Sequence, residues 1–252
     1  MKKIFSISLL LLAIVSFTNA ATRGDVKVIE ASENIRYLSQ KIIKDYLFLY
    51  KNPNRKETED RLNKELGQLS SNLRVIATTT KDVDTKDILE FLAYSKDQIE
   101  QIVSEKPTEE QAALMLDYSE TLLEGADSIA LAHKYDFSKE EQMLITMKKI
   151  EYLLERITKY YMAMNTGFDS STNKEQMKKA ILDIEVNLMD ISLYSYPQEF
   201  KGLQNDVDMS WRANKMFFEK SDKLFIPKLM LLSVSYMENF INQLTTYHSK
   251  NQ

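Results

Sequence analysis

Residues 36–54 read RYLSQKIIKDYLFLYKNPN, and residues 151–169 read EYLLERITKYYMAMNTGFD. The second stretch repeats the apolar frame of the first at an offset of 115 residues, so that Leu38 falls on Leu153. In the predicted helix that contains the first stretch, alternating steps of three and four residues connect apolar positions, with Asp45 the one misfit: Val28, Ala31, Ile35, Leu38, Ile42 and Leu49. This is the spacing of the buried seam of a bundle helix. The two stretches therefore predict a pair of related core helices.

The same offset relates residues far outside these helices. Without any gap it superimposes like residues in pairs: Ile35 on Ile150, Tyr37 on Tyr152, Ile42 on Ile157, Lys44 on Lys159, Tyr46 on Tyr161, Asn72 on Asn187, Leu73 on Leu188, Ile76 on Ile191, Met115 on Met230 and His133 on His248. A repeat of this length indicates a duplicated domain rather than a short solenoid unit. We expect two modules, residues 21–135 and 136–252, joined near Tyr135–Ser138.

Composition predicts an all-α fold. Five glycines and four prolines in 252 residues are too few for a strand-rich protein, which needs many more turn residues. Seven interruptions read as turns and leave eight helices: 52–54, 78–84, 106–108, 135–138, 166–173, 194–197 and 221–223. Each module then holds four helices, which predicts two up-and-down four-helix bundles in series. The sequence leaves open whether the bundles stack end to end or pack side by side.

Three of the predicted helices begin at a capping box, in which a small polar residue is followed three positions later by an acid or amide. The pairs are Thr108 with Gln111, Ser138 with Glu141, and Thr172 with Glu175. These boxes fix the expected starts of the fourth, fifth and sixth helices.

The N-terminus predicts export. MKKIFSISLLLLAIVSFTNA has two lysines, an apolar run and small residues up to Ala20, as a cleaved signal peptide over residues 1–20 does. The run of about 14 apolar residues is shorter than the roughly 20 of a membrane-spanning helix. We therefore expect a periplasmic or secreted mature chain with no membrane span. It holds itself together by core packing, since the sequence has no cysteine.

Charge and residue types exclude several function classes. Removing Lys2 and Lys3 leaves 31 basic and 37 acidic residues, a net charge of −6, which gives no reason to expect nucleic acid as a partner. The chain has no glycine-rich phosphate loop and no cysteine nucleophile. Its two histidines stand outside any Glu-x-x-His pattern. We expect no enzyme, no metal and no cofactor, and interpret His133 and His248 as half-exposed residues near helix C-termini.

A polar stripe on the first helix is the candidate binding site. Ser32, Arg36, Ser39 and Gln40 lie on one side of this helix, beside its apolar seam. An arginine in such a place offers a forked donor to a carboxylate or an oxyanion. The alternative is an ordinary boundary position in which Arg36 pairs with Glu33 one turn earlier.

The stretch RYLSQKIIKDYL resembles the hallmark of the PilJ-like domain, the N-terminal sensor domain of type IV pili methyl-accepting chemotaxis transducers. The hallmark reads approximately R-M-L-S-Q-R-x-x-K-x-Y, and it is matched here by Arg36, Leu38, Ser39, Gln40, Lys44 and Tyr46. The helix LDYSETLLEGADSIAL from Leu116 is also similar to its counterpart in that family. The second copy keeps the frame but has Glu151, Leu154 and Glu155 where the hallmark has Arg, Ser and Gln, so it is a degenerate copy.

The resemblance implies a periplasmic helical sensor. In related nitrate-sensing kinases the arginine corresponding to Arg36 holds an anion at a dimer interface, which implies a small anion ligand and a homodimer here. Many members have a glycine and an arginine where this chain has Glu33 and Asn34. Because the chain shows no second span and no kinase sequence, its message would pass to a membrane receptor or transducer protein.

The leading hypothesis is an exported, non-enzymatic ligand-binding or sensory accessory protein, with Arg36, Ser39, Gln40 and Ser32 as ligand-binding residues. The competing hypothesis is a helical structural protein that docks on a membrane receptor or on a pilus-associated assembly. A carboxylate against Arg36 would favour the second hypothesis, and a cleft without a counter-ion would favour the first.

Overall fold

The computed structural model describes residues 23–53, 55–168, 170–220 and 225–251. Within these ranges the chain is all-α, with one short 3-10 helix and no β-strand. Its eight α-helices are α1 (Arg23–Lys51), α2 (Lys56–Thr79), α3 (Val83–Ser104), α4 (Glu109–Ala132), α5 (Lys139–Thr166), α6 (Ser171–Leu193), α7 (Lys201–Glu219) and α8 (Pro227–Lys250). The predicted fold class and the number of helices are confirmed. The predicted signal peptide, residues 1–20, and the predicted turn at 221–223 lie outside the described residues.

Two of the three predicted capping boxes form. Thr108 caps α4 through the Gln111 amide, and Ser138 caps α5 through the Glu141 amide; in both boxes the third residue's side chain bonds back. The predicted box at Thr172 is wrong. Helix α6 begins two residues earlier than that box requires, because the Ser170 side chain accepts the hydrogen bond of the Asn173 amide.

Helices α1 to α4 form one four-helix group, in which each helix packs against the next and α4 returns to α1. Helices α5 to α8 repeat this arrangement. Asn34 Nδ2 lies 3.3 Å from Asn72 Oδ1, and Arg61 Nε lies 2.9 Å from Asp45 Oδ2. Since residue numbers rise along α1 as they fall along α2, the two helices are antiparallel, as in an up-and-down bundle.

The two groups pack side by side through their first helices, α1 and α5. The Arg36 guanidinium carbon lies 4.8 Å from the ring centre of Tyr152, and Lys44 Nζ lies 2.7 Å from Glu155 Oε2. Residue numbers rise together along both helices, so α1 and α5 are parallel. Each of these two helices is therefore enclosed by three others, α1 by α2, α4 and α5, and α5 by α1, α6 and α8.

Several apolar residues related by the repeat are buried in both groups. Tyr46 and Tyr161 are fully buried, as are Met115 and Met230. Burying a large apolar side chain contributes roughly 1.5–3 kcal/mol, so these matched positions are a main source of stability in both groups.

Because α1 and α5 are the two central helices, polar residues on their facing sides are buried as well. These buried polar residues form the candidate site.

Candidate functional site at the junction of the two groups

Three of the four predicted site residues bond to the backbone of α1 or to one another. Ser32 Oγ donates to the Val28 carbonyl at 2.8 Å, and Ser39 Oγ donates to the Arg36 carbonyl at 2.7 Å. Gln40 Nε2 lies 2.9 Å from Ser39 Oγ. Ser32, Ser39 and Gln40 are all fully buried. Their side chains thus stabilise the helix and its packing in this structure, and a ligand role for them stays a prediction.

Arg36 lies against two carboxylates. Its Nη1 is 2.7 Å from Glu33 Oε1, and its Nε is 2.5 Å from Asp127 Oδ1 on α4. Burial disfavours the charged guanidinium, but the two carboxylates outweigh burial and raise the pKa of Arg36. The structure therefore contains the alternative pairing of Arg36 with Glu33, extended by a second acid from α4. An anion at Arg36 would have to displace Asp127.

The repeat gives Arg36 a counterpart of opposite charge. The offset of 115 residues places Arg36 on Glu151 and Glu33 on Lys148. Lys148 Nζ lies 2.9 Å from Glu151 Oε2, so the same one-turn ion pair forms with its charges exchanged. The residue equivalent to Asp127 is Asn242, which has no charge. Glu151 consequently has one ionic partner at the position where Arg36 has two.

A polar cavity of about 260 Å³ opens beside Glu151, between α1, α2, α5 and α8. Four amide side chains line it together with the ion pair: Asn34, Gln68, Asn72, Asn242, Lys148 and Glu151. Glu151 itself is 5% exposed. Among the described residues, its Oε1 has no hydrogen-bond partner. Buried carboxylate oxygens are nearly always satisfied, so this one marks a place for an additional donor.

Glu238, one of the residues that line this cavity, belongs to a buried ionic cluster. Lys44 Nζ lies 2.9 Å from Glu155 Oε1, and Lys41 Nζ lies 3.3 Å from the same oxygen. Burial disfavours the charged form of Glu155, but Lys44 and Lys41 outweigh it and lower the pKa of Glu155 to about 2. For Glu238, burial and the adjacent Glu155 together raise the pKa to about 8. Glu238 therefore holds its proton at neutral pH beside an ionised Glu155.

A second ionic cluster lies between α5 and α4. Lys159 Nζ lies 2.7 Å from Ser119 Oγ and 2.5 Å from Glu120 Oε1. Arg156 Nη1 and Nη2 donate to the two oxygens of Glu120, at 3.1 Å and 2.8 Å. Burial outweighs the attraction of Glu120 and lowers the pKa of Lys159 to about 8. The carboxylate of Glu120 is therefore the ionic partner of both Lys159 and Arg156.

The two histidines each join parts of one helix group. His133 Nδ1 lies 2.8 Å from Asp25 Oδ1, and His248 Nδ1 lies 2.5 Å from Glu140 Oε2. Because a carboxylate only accepts, Nδ1 carries a proton in both, and His248 Nε2 lies 2.8 Å from the Tyr196 hydroxyl. The interpretation as half-exposed residues is wrong for His248, whose side chain is fully buried. Both histidines hold the starts of α1 and α5 to the rest of their groups.

Sequence reasoning missed the residues that distinguish this junction. Glu151 and Glu155 were interpreted only as losses from the PilJ-like hallmark, whereas the structure makes both of them buried ion-pair partners. One signal was present. Lys44 and Lys159 match across the repeat on the buried side of a core helix, and a lysine is rarely buried unless it is paired.

Two further observations limit the chemistry. In the part of the chain that the structure describes, no group of three or more His, Asp or Glu side chains has a geometry suited to a metal ion. Over the same residues, none of the helices has the length and apolar character needed to cross a membrane.

The comparisons with known proteins identify no relative. The chain matches no model of a known protein family, no curated protein and no solved structure.

Proposed function

We propose that this chain is an exported, non-enzymatic binding protein that takes up a small polar ligand at the junction of its two helix groups. The observation that carries the proposal is the cavity beside Glu151, where a buried carboxylate oxygen has no hydrogen-bond partner among the residues that the structure describes. A volume of about 260 Å³ is below the roughly 300–1,000 Å³ typical of sites for drug-sized molecules, so the ligand is small.

The position of the cavity suits a sensory accessory protein. Its walls come from α1 and α2 of one group and from α5 and α8 of the other. A ligand bound there contacts both groups at once, and a bound state that favours one arrangement of the groups shifts the population toward it. This agrees with the resemblance of RYLSQKIIKDYL to a chemotaxis sensor domain. A membrane receptor or transducer would then read the ligand-bound form.

Thermal unfolding tests the proposal. We expect at least one class among small amines, polyols and anions to raise the melting temperature, because a ligand at 100 times its Kd stabilises the folded state by about 2.7 kcal/mol. Asn242→Tyr, which places a bulky ring at the mouth of the cavity, should abolish the effect. Asn239→Tyr on the same helix does not touch the cavity and should leave the effect intact.

The same measurements distinguish binding in the cavity from binding at Arg36. Binding of an anion that survives Asn242→Tyr but is lost in Arg36→Ala would place the site at the predicted polar stripe instead. If none of the three ligand classes changes the melting temperature, the binding function is wrong.

A structural interaction protein is the second candidate, and one observation favours it. Arg36 is engaged internally by Glu33 and Asp127, as expected of a scaffold that is packed without a ligand at this residue. A scaffold should retain one stoichiometric partner from a periplasmic extract without any added ligand. That partner should bind Asn242→Tyr and the unmodified protein equally well.

A further inference from the structure

The repeat shows what is missing beside Glu151. At the equivalent position in α1, Arg36 is neutralised by Glu33 within its own helix and by Asp127 from α4. At Glu151 the partner within the helix is present as Lys148, but the partner from α8 is replaced by the uncharged Asn242. Within the described residues, Glu151 thus has one ionic partner at the position where Arg36 has two.

The second carboxylate oxygen of Glu151, Oε1, also distinguishes the two sides of the junction, since among the described residues it has no charged partner from α8. Lys148 Nζ bonds to Oε2 at 2.9 Å, while Oε1 has no partner within the described residues. The side chain is 5% exposed, so bulk water solvates it poorly. A carboxylate oxygen only accepts hydrogen bonds, and the group that completes it must be a donor. A positively charged donor gives the shorter and stronger bond.

We infer that the cavity binds the ammonium group of a small organic amine, with Glu151 as its counter-ion. This inference rests on the proposed function and specifies its ligand. The amide oxygens of Asn34, Gln68 and Asn72 supply further acceptors along the walls. In this arrangement an amine occupies the place that a cation from α8 would fill if the repeat were symmetric.

Other ligand classes fit the cavity less well. An anion would face the carboxyl groups of Glu151 and Glu238, and the one cation lining the cavity, Lys148, is already bonded to Glu151. A hard metal ion such as Ca²⁺ takes six to eight oxygen ligands, commonly from several carboxylates. No metal-binding group of three or more such side chains occurs within the described ranges. A neutral polyol would give Oε1 of Glu151 only a weaker, uncharged hydrogen bond.

Titration calorimetry with matched probes tests the inference on the purified full chain. Putrescine, 1,4-butanediol and succinate share a four-carbon skeleton and carry amines, hydroxyls and carboxylates respectively. Methylamine and ethanolamine, with methanol and ethylene glycol as their matched alcohols, cover smaller ligands. We expect at least one amine to bind at least tenfold more tightly than the alcohol and the carboxylate of the same skeleton.

Two carboxylate variants locate the site. Glu151→Gln keeps the size of the side chain but removes its charge, and it should weaken amine binding at least tenfold. Glu33→Gln makes the same change in an equally buried carboxylate of the junction, which also has an oxygen without a described partner but lines a different cavity. Glu33→Gln should alter amine affinity less than twofold. Equal losses in both variants would contradict the assignment to Glu151.

A third variant separates a lost site from a damaged fold. Asn242→Lys supplies the missing cation from α8 itself, so it should abolish amine binding while it raises the melting temperature. If 1,4-butanediol or succinate binds and Glu151→Gln does not weaken that binding, the amine inference is wrong and the proposed binding function stands. If no probe of any class binds, the amine inference and the proposed binding function are both wrong.

Discussion

The two lysines that match across the repeat have opposite surroundings. Lys44 crosses from α1 to Glu155 on α5 and is also 3.6 Å from Asp45, and these carboxylates outweigh burial and raise its pKa. Lys159 crosses from α5 to Glu120 on α4, a carboxylate that Arg156 already holds, and burial lowers its pKa to about 8. Both lysines occupy the same position in the repeated apolar pattern. Lys44 is close to two carboxylates, whereas Lys159 shares the carboxylate of Glu120 with Arg156.

The difference arises because the acids around the two lysines are not shared by the repeat. Glu155 of α5, the main partner of Lys44, corresponds to Gln40 of α1, and Asp45 of α1 corresponds to Tyr160 of α5. Lys159 therefore lacks counterparts of both acids. The two groups thus share their apolar packing at the matched core positions, while their buried charges differ.

The largest expected effect comes from Lys44→Met. This change removes the main partner of Glu155, whose side chain is 1% exposed, and leaves it with Lys41 at 3.3 Å. Breaking a buried ion pair on one side costs about 3–5 kcal/mol because the other charge stays buried without compensation. We expect a loss of this size in the free energy of unfolding measured with urea.

The double variant Lys44→Met with Glu155→Met provides the control. Removing both charges avoids leaving one of them unpaired, so the double variant should be more stable than Lys44→Met alone. A double variant that is less stable than the single one would show that the pair contributes through something other than mutual neutralisation.

A smaller effect is expected from pH. The folded-state pKa values of Glu238 and Glu65 are raised to about 8, in both cases by burial first and by a neighbouring acid second. Between the ordinary value of 4.5 and about 8, the folded state therefore binds more protons than the unfolded chain. Stability should fall as pH rises through this range, by at most about 1.4 kcal/mol per pH unit for each of the two groups.

Glu238→Gln checks the source of this fall. Glutamine keeps the ability to donate to Glu155 but has no proton to lose, so the decline from pH 5 to pH 8 should become shallower without vanishing, since Glu65 remains. Urea unfolding of the unmodified protein and of Glu238→Gln at four pH values measures this decline in the free energy of unfolding. Identical slopes for the two proteins would rule out Glu238 as a titrating group in this range.

The fold followed from the sequence because its determinants are local or periodic. The apolar steps of three and four and the capping residues Thr108 and Ser138 each act within one helix, and the offset of 115 residues relates one half of the chain to the other. The side-by-side arrangement did not follow, since apolar periodicity marks which face of a helix is buried but not which helix covers it. The predicted start of α6 was wrong because Thr172 has an acid, Glu175, three residues later, whereas Ser170, the better N-cap residue, is followed there by Asn173.

The candidate site was predictable only in part. The sequence directed attention to Arg36 and to the contrast with Glu151, and both lie at the junction. It gave no sign that Asp127 on α4 would neutralise Arg36, or that Asn242 would stand in the same place beside Glu151. These residues are separated from their partners by about 90 positions, and only the packing of helices brings them together.

The smallest expected effect is that of Lys159→Met, the counterpart of the first prediction. The ammonium of Lys159 is fully buried, and its charge is already disfavoured there, as its lowered pKa shows. Without it, Glu120 keeps both hydrogen bonds from Arg156 and one from Tyr160 at 3.0 Å. Methionine fills a similar volume, so the free energy of unfolding at pH 7 should change by less than about 1 kcal/mol.

The pH dependence of Lys159→Met gives a sharper readout than its stability at pH 7. Between pH 8 and 10 the folded state of the unmodified protein loses the Lys159 proton while the unfolded chain still holds it, since the ordinary pKa is 10.5. This group therefore adds stability as pH rises through that window, and Lys159→Met should lack the gain. A variant that instead loses 3 kcal/mol or more at pH 7 would mean that Lys159, like Lys44, is a required partner, and that the two sides of the junction are electrostatically alike.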